Sequence, residues 1–275
     1  MRVSISGLGV MGKNHLRVCK SLGYEIVSTF DPERGDNYQD FLKTLASADA
    51  LIIASPTRYH LQGIIDAIEH NPDIKILCEK PVCFSTSEEE IANVIQHENS
   101  VLIGQIERFN PSVIKLKKEL LNKEIIQIKT RRVNNVPARE KIDCRKDIGI
   151  HDLDFVCNIL DEFPEQIGIT SNDQNSHEVL VYKVGDVIAI NEVSWEYPFK
   201  SRDFEVLTSD GVYSGNFYEQ SLFFNDWTGN ESKIEVDKKE PLISEISHLE
   251  AMVSTGTDPL VTISSNLKIL KLMGY

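Results

Sequence analysis

Val3-Ser4-Ile5-Ser6-Gly7-Leu8-Gly9-Val10-Met11-Gly12 is the stretch that decides the fold. Val3 and Ile5 open an apolar strand that runs straight into Gly7-x-Gly9-x-x-Gly12. A helical pattern follows, with Leu16, Cys19 and Leu22 on one face and Gly23 as its stop. The first glycine permits a tight turn, the second lets backbone approach a pyrophosphate, and the third lets helix and strand pack closely. The helix start, with Val10 and Met11 in its first turn, then offers unsatisfied N–H groups to phosphates. Alone, such a pattern could be the turn of a plain α/β domain, so its context carries the weight.

That context is a second strand over 25–30 that ends in Asp31, at the distance past Gly12 where a ribose-binding acid belongs. A carboxylate there accepts from adenosine ribose hydroxyls and repels a 2′-phosphate. NAD is therefore the cofactor expected, with NADP less favoured, although Arg34 nearby works against that preference. Residues 48–54 read as a buried parallel strand ending at Ser55-Pro56-Thr57, and His60 enters the helix that follows. Residues 74–78 form a fourth strand ending at Glu79-Lys80-Pro81. Ser85-Thr86-Ser87 before Glu88-Glu89-Glu90 is a helix-capping signal, and 101–106 form a fifth strand. Alternation this regular implies a doubly wound parallel sheet with right-handed crossovers. Ligands sit outside the carboxyl ends of such strands, where Gly7, Asp31, Pro56, Lys80 and Glu107 fall.

Pro111 begins a helix, and from about residue 124 the pattern changes to strands: 125–133, 166–170, 179–184, 187–195, 204–208 and 221–224. Turns at Gly185-Asp186 and Asp210-Gly211 point to antiparallel hairpins, and one helix over 151–160 interrupts them. Residues 243–253 and 264–273 return to helical spacing and are expected to pack at a domain junction. The division predicted is 1–110 for dinucleotide binding and 111–275 for an α+β substrate and oligomerisation domain with a mostly antiparallel open sheet.

The 275 residues are 41% hydrophobic and 26% charged, a globular balance, and the net charge of −13 argues against a general nucleic-acid or anionic-membrane binder. Five cysteines without a CxxC pair read as reduced thiols, and no metal site is expected. The strand at the very start leaves no room for a signal peptide, and no apolar run is long enough for a membrane-spanning helix. A cytoplasmic protein is the expectation.

Lys80, at a strand end on the cofactor side, reads as a cation that hydrogen-bonds a substrate hydroxyl and stabilises developing alkoxide; alone, it would be a surface lysine. Asp147 and His151 are four apart, on one face if helical. The histidine is a natural proton acceptor near neutral pH, and Asp147 could orient it or bind a substrate hydroxyl; alone, the pair is an ordinary helical ion pair. Asp152 and Asp154 are less specific, Asp154 reading as a cap or salt bridge. Lys129, Arg131, Arg132, Arg139, Lys141, Arg145 and Lys146 face only Glu140 and Asp143 in their stretch. They would either attract a phosphorylated or nucleotide-linked substrate or form a solvated strand face. Glu107-Arg108-Phe109-Asn110-Pro111 is a polar cluster at a strand end, and Pro198, Lys200 and Arg202 stand together after Trp195.

Gly7-x-Gly9-x-x-Gly12, Glu79-Lys80-Pro81 and Asp147-x-x-x-His151-Asp152 together resemble, in order, the three motifs of the glucose–fructose oxidoreductase, inositol dehydrogenase and rhizopine-catabolism (Gfo/Idh/MocA) family. The resemblance covers nearly the whole chain. It implies a Rossmann domain followed by a mixed-sheet domain whose open sheet makes homodimer or homotetramer contacts. It also implies a catalytic Lys80, Asp147 and His151. Within the family, Glu107 to Pro111, His151-Asp152-Leu153-Asp154 and Trp195-x-x-Pro198-x-Lys200-x-Arg202 look most like UDP-N-acetylglucosamine 3-dehydrogenases. On that likeness Lys80, Glu107, Arg108, Asn110, Arg132, Asp147, His151, Lys200 and Arg202 would bind substrate. Gly7, Gly9, Val10, Met11, Gly12, Asp31, Arg34, Ser55, Pro56, Thr57, His60, Glu79 and Lys80 would bind cofactor. Two features depart from the family: the chain is short, and the glycine-rich loop before the catalytic Asp is compressed to 142–146. The activity implied is NAD-dependent oxidation of a secondary hydroxyl of a sugar, with a nucleotide sugar such as UDP-N-acetylglucosamine, oxidised at C3, first in line. Inositol or free-sugar oxidation, NAD-dependent glycoside cleavage and non-catalytic NAD sensing are the alternatives.

Overall fold

The computed structural model describes residues 1–84, 88–135 and 144–274. Ser85-Thr86-Ser87 of the capping signal, and Arg139, Glu140, Lys141 and Asp143 of the basic stretch, lie outside the described residues. The chain divides into two compact units, Met1–Gln105 with Leu242–Lys271 and Ile106–Pro241 with Leu272–Gly274.

Short apolar strands build the first unit. β1 (Arg2–Ser6), β2 (Glu25–Phe30), β3 (Ala50–Ile53), β4 (Lys75–Glu79) and β5 (Val101–Gly104) pair in parallel in the order β2-β1-β3-β4-β5. Every residue of β3 and β5 is buried, as in strands covered on both faces. Four helices follow the first four strands in turn: α1 (Val10–Ser21), α2 (Tyr38–Thr44), α3 (His60–His70) and α4 (Glu88–Ile95). The strand order reverses between β1 and β3, and that reversal is where such sheets open a ligand crevice at the carboxyl ends. Gly7, Asp31, Ala54 and Lys80 are the first residues beyond β1, β2, β3 and β4.

The second unit opens with α5 (Pro111–Glu119), started by Pro111 and capped by Asn110, whose side-chain oxygen accepts from the Ser112 N–H at 3.1 Å. β6 (Ile125–Val133) leads by way of α6 (Ile150–Leu160) to β7 (Glu165–Ser171), β8 (His177–Val184), β9 (Val187–Ser194), β10 (Ser201–Thr208), β11 (Gly211–Asn216), β12 (Ser221–Asp226) and β13 (Glu231–Lys233). They form a sheet in the order β13-β12-β11-β10-β6-β9-β8-β7, antiparallel except between β6 and β9. Alternate residues such as Ile128, Leu180, Ala189, Phe204 and Val206 are buried. On α6, Phe155 sits 5.4 Å from the Phe204 ring and 5.1 Å from that of Phe217. Aromatic side chains buried in this way contribute about 1.5–3 kcal/mol each. β11 and β13 go beyond the strands read from the sequence.

The last two helices, α7 (Pro241–Thr255) and α8 (Ile263–Leu272), belong almost wholly to the first unit. The Ile103 N–H donates to the Val261 carbonyl at 3.0 Å, the Val82 N–H to Asn266 Oδ1 at 3.3 Å, and the Tyr24 hydroxyl to Glu250 at 2.7 Å. These bonds tie the helices back to a sheet that the chain completes at Gly104, which a single cut at 110/111 does not capture. Among the described residues no helix is long and apolar enough to cross a membrane. The five cysteines are buried and are not joined in disulfides, and burial pushes the Cys19 and Cys157 thiols up to about 12.

Candidate functional site

The glycine turn of the first unit separates three roles that look alike in sequence. Gly7 has φ 92°, and a side chain on it would lie 2.5 Å from the Ser55 nitrogen. A side chain on Gly12 would fall 1.8 Å from the Gly7 carbonyl oxygen. Both glycines are required by the fold itself. At Gly9, by contrast, a Cβ would meet nothing within 4 Å, so its bareness serves something outside the protein. α1 starts at Gly9 with no side-chain cap and no acid in its first turn, and Val10 and Met11 are exposed there. Unsatisfied N–H groups, open space and the positive end of a helix fit a pyrophosphate.

Asp31 follows directly on the carboxyl end of β2. Its carboxylate accepts the Leu8 N–H at 2.7 Å and the Glu33 N–H at 2.9 Å, which leaves lone pairs for hydroxyl donors. Arg34 is held back. It donates to Thr29 Oγ1 at 3.2 Å and lies 3.5 Å from Asp36, whose carboxylate also accepts the Asp31 N–H at 2.9 Å. Asp36, which the sequence reading missed, answers the charge that could have favoured a 2′-phosphate.

Ser55 packs against Gly7, and His60 joins its loop to the strand end that bears Lys80. Buried to 1% exposure, His60 has Nε2 at 2.8 Å from the Ser55 carbonyl and Nδ1 at 2.9 Å from the Pro81 carbonyl. Both ring nitrogens are engaged by the backbone, so any role of His60 toward cofactor runs through the two loops it ties. Burial pushes its pKa down. Glu79 is likewise turned inward, with Oε1 2.7 Å from Nε2 of the buried His15. Lys80 follows, half-buried, joined to Pro81 by a cis peptide bond.

Behind Glu79 lies Glu245 of α7, 1% exposed, whose Oε1 has no hydrogen-bond partner among the described residues. Burial and then the nearby Glu79 hold its pKa well above the ordinary carboxylate value. A carboxyl raised on folding binds more protons in the native state, so stability falls as pH rises from the ordinary carboxylate range through the folded pKa. The slope of that loss is at most about 1.4 kcal/mol per pH unit. Glu245→Gln removes it. The melting-temperature advantage of the variant over wild type is expected to grow by a few degrees per unit on moving from pH 5 towards pH 8. A pH-independent difference in calorimetry would show that Glu245 ionises normally.

In the second unit the spacing of Asp147 and His151 has a different meaning from the one expected. Arg145–Gly149 forms a π-helical turn, and only from Ile150 does α6 wind regularly. Asp147 thus sits in the wide turn and His151 at the start of the α-helix, not on one uniform α-helical face. Gly149 permits the approach to β9, since a Cβ there would lie 3.3 Å from Val193.

The polar residues expected around substrate divide sharply. Arg108 donates to both Asp154 oxygens at 2.8 and 2.9 Å and to Asn158 at 3.1 Å, so it is a half-buried brace for α6. Asn110 donates to Glu107 at 2.9 Å and to the Phe217 carbonyl at 2.8 Å. Arg132, 2% exposed, bonds Asp152 at 2.8 Å and Glu107 at 3.0 Å. Burial outweighs this pairing and pushes Asp152 up to about 6. Glu107, Arg108, Asn110 and Arg132 therefore form a hydrogen-bonded frame that supports α6. Lys200 and Arg202 stay outside that frame.

Residues 1–103 match the family model of the Gfo/Idh/MocA oxidoreductases, described as an oxidoreductase family with an NAD-binding Rossmann fold. The match covers the Rossmann segment, 103 of the chain's 275 residues. A curated relative, the scyllo-inositol 2-dehydrogenase (NAD(+)) of Bacillus subtilis, is 25% identical over 95% of this chain and 89% of its own length. The 2,7-anhydro-N-acetylneuraminate hydratase of Mediterraneibacter gnavus is also 25% identical, over 62% of this chain, which spans only 52% of that relative's length. Among solved structures, the UDP-N-acetylglucosamine 3-dehydrogenase GnnA from Acidithiobacillus ferrooxidans superposes with a TM-score of 0.84 at 19% identity, covering 100% of this chain and 96% of its own. That likeness shows a shared fold. The Gly7–Gly12 turn, Asp31 and Lys80 all lie inside the matched region.

Proposed function

We propose that the protein is an NAD-dependent dehydrogenase that oxidises a secondary hydroxyl of a sugar. The observation that carries this reading is that Lys80 stands at the carboxyl end of β4, in the sheet whose neighbouring ends bear the bare Gly9 and Asp31. Bound NAD supplies the hydride acceptor. Lys80 donates a hydrogen bond to the substrate hydroxyl and stabilises negative charge developing on its oxygen. His151 takes the hydroxyl proton, and Asp147 orients the imidazole or holds a neighbouring hydroxyl. A nucleotide sugar of the UDP-N-acetylglucosamine type is the substrate we favour, supported by the motif likeness around Lys200 and Arg202.

The test offers UDP-N-acetylglucosamine, other nucleotide sugars, free sugars and inositols to the protein with NAD and follows NADH. Stoichiometric NADH with one class is the expected outcome. One relative is named a hydratase, which favours as second reading a reaction that uses bound NAD without net redox change. Product without accumulating NADH would establish that reading instead, and cofactor binding with no turnover of any sugar would point to an NAD sensor.

A further inference from the structure

The internal frame of the second unit leaves two cations outside it. Arg202 on β10 is the register partner of Arg132 on β6, so two arginines face one another across adjacent strands. Arg132 takes the hydrogen bonds of Glu107 and Asp152, the two acids nearest both arginines. The half-buried Arg202 side chain makes no hydrogen bond or ion pair among the described residues. Burial, then Arg132, push its pKa down, while Glu107 and Asp152 oppose that shift. Lys200, two residues earlier and exposed, has its ammonium 4.6 Å from the centre of the Tyr218 ring and no acidic partner among the described residues. Its pKa is lowered by burial and by Arg202 and Arg132.

The Tyr218 ring is held in place. Asn216 Oδ1 accepts the Tyr218 and Glu219 N–H groups at 2.9 and 2.8 Å, and the Phe217 N–H donates to the Arg202 carbonyl at 2.8 Å. Among the described residues three cations thus face two carboxylates, and the excess charge sits on the two cations nearest solvent. Leaving a guanidinium half-desolvated and unpaired is costly unless an anion arrives to bond it. Asp152, which bonds Arg132, is the residue after His151 on α6. The surplus charge therefore lies beside the helix that carries the proposed base.

We propose that Arg202 and Lys200 form an oxyanion subsite for the substrate, so that the sugar oxidised bears a phosphate or carboxylate group. This rests on the dehydrogenase reading for its link to turnover, but anion binding can be read without turnover. The guanidinium takes two oxygens in its fork, and the ammonium adds a third donor from the solvent side.

The test has two arms. Calorimetry on the NAD-loaded protein with UDP, pyrophosphate and glucuronate is expected to show binding that weakens with salt and falls about 10- to 100-fold in Arg202→Ala. Arg202→Lys should recover part of it, and Lys200→Ala, at an exposed site, gives a smaller loss. In turnover, the KM ratio of neutral N-acetylglucosamine to its 1-phosphate, its UDP ester or a uronic acid should collapse towards one in Arg202→Ala. Preference for the phosphates or for the uronic acid identifies which oxyanion is read. Anion binding that survives Arg202→Ala and Lys200→Ala in folded protein overturns the proposal, as does equal affinity of wild type for neutral and charged sugars. Arg202-dependent anion binding with no sugar oxidation would leave the subsite standing and remove the dehydrogenase reading.

Discussion

His151→Ala is expected to slow turnover by about 10²–10⁴-fold, the usual worth of a positioned general base, while NAD affinity stays unchanged. The two effects separate because the cofactor turn lies in Met1–Gln105 and His151 in Ile106–Pro241. Loss of the base should also remove the low-pH limb of the kcat/KM profile, which a packing defect would not do. Lys80→Ala should lower kcat by a similar factor, since it removes the donor to the hydroxyl rather than the proton acceptor. Single-turnover NADH formation with saturating substrate measures both variants. Turnover of His151→Ala within a few-fold of wild type, with NAD bound, would place the base elsewhere.

Whether such variants report on chemistry alone depends on the packing around them, and here the second unit is informative. α6 carries His151 on one turn and, within the next, buries Asp152 and Asp154 against Arg132 and Arg108. Four ionic groups at the base of one helix form a rigid support. Removing one partner would leave its mate charged and buried, which costs about 3–5 kcal/mol. Arg108→Ala is thus a stability variant, whereas His151 and Lys200 can be changed without opening that frame.

The motifs and their order are legible in the sequence because each rests on a local backbone demand. A turn needing φ 92° at Gly7, or contact at 1.8 Å from Gly12, restricts residue type whatever lies elsewhere. The availability of a charged side chain is not local. Arg108 and Arg202 look equally suited to substrate, yet Asp154, 46 residues from Arg108, claims the first, and nothing comparable among the described residues claims the second. β11 is hard to read because its glycines weaken the strand signal. Gly215 is there because a Cβ would come 2.4 Å from the Phe204 ring of the neighbouring strand. The π-turn at Arg145–Gly149 bears no composition mark, so spacing alone assigns Asp147 and His151 to one α-helical face. The assignment of α7 and α8 to the first unit rests on contacts such as Val82 with Asn266, 184 positions apart.

Gly9→Ala and Gly12→Ala should fail in opposite ways. At Gly12 the new methyl would stand 1.8 Å from the Gly7 oxygen and 2.8 Å from its carbonyl carbon, so the turn backbone itself must move. Overpacking of this kind costs about 1–3 kcal/mol or more, which lowers the melting temperature by several degrees and removes NAD binding with the turn. At Gly9 the backbone, at φ −64° and ψ −159°, accepts alanine and the methyl meets no protein atom within 4 Å. Its melting temperature should stay within a degree or two of wild type. The methyl would instead occupy the space from which a pyrophosphate reaches the first N–H groups of α1. Lengthening even one charge-assisted hydrogen bond there costs about 1.5–3 kcal/mol, so NAD affinity should drop about 10- to 100-fold. Calorimetric titration with NAD, paired with thermal unfolding of the unliganded protein, distinguishes the two. A Gly9→Ala protein that binds NAD as tightly as wild type would move the pyrophosphate away from this turn, and with it Lys80 would lose its place beside the cofactor.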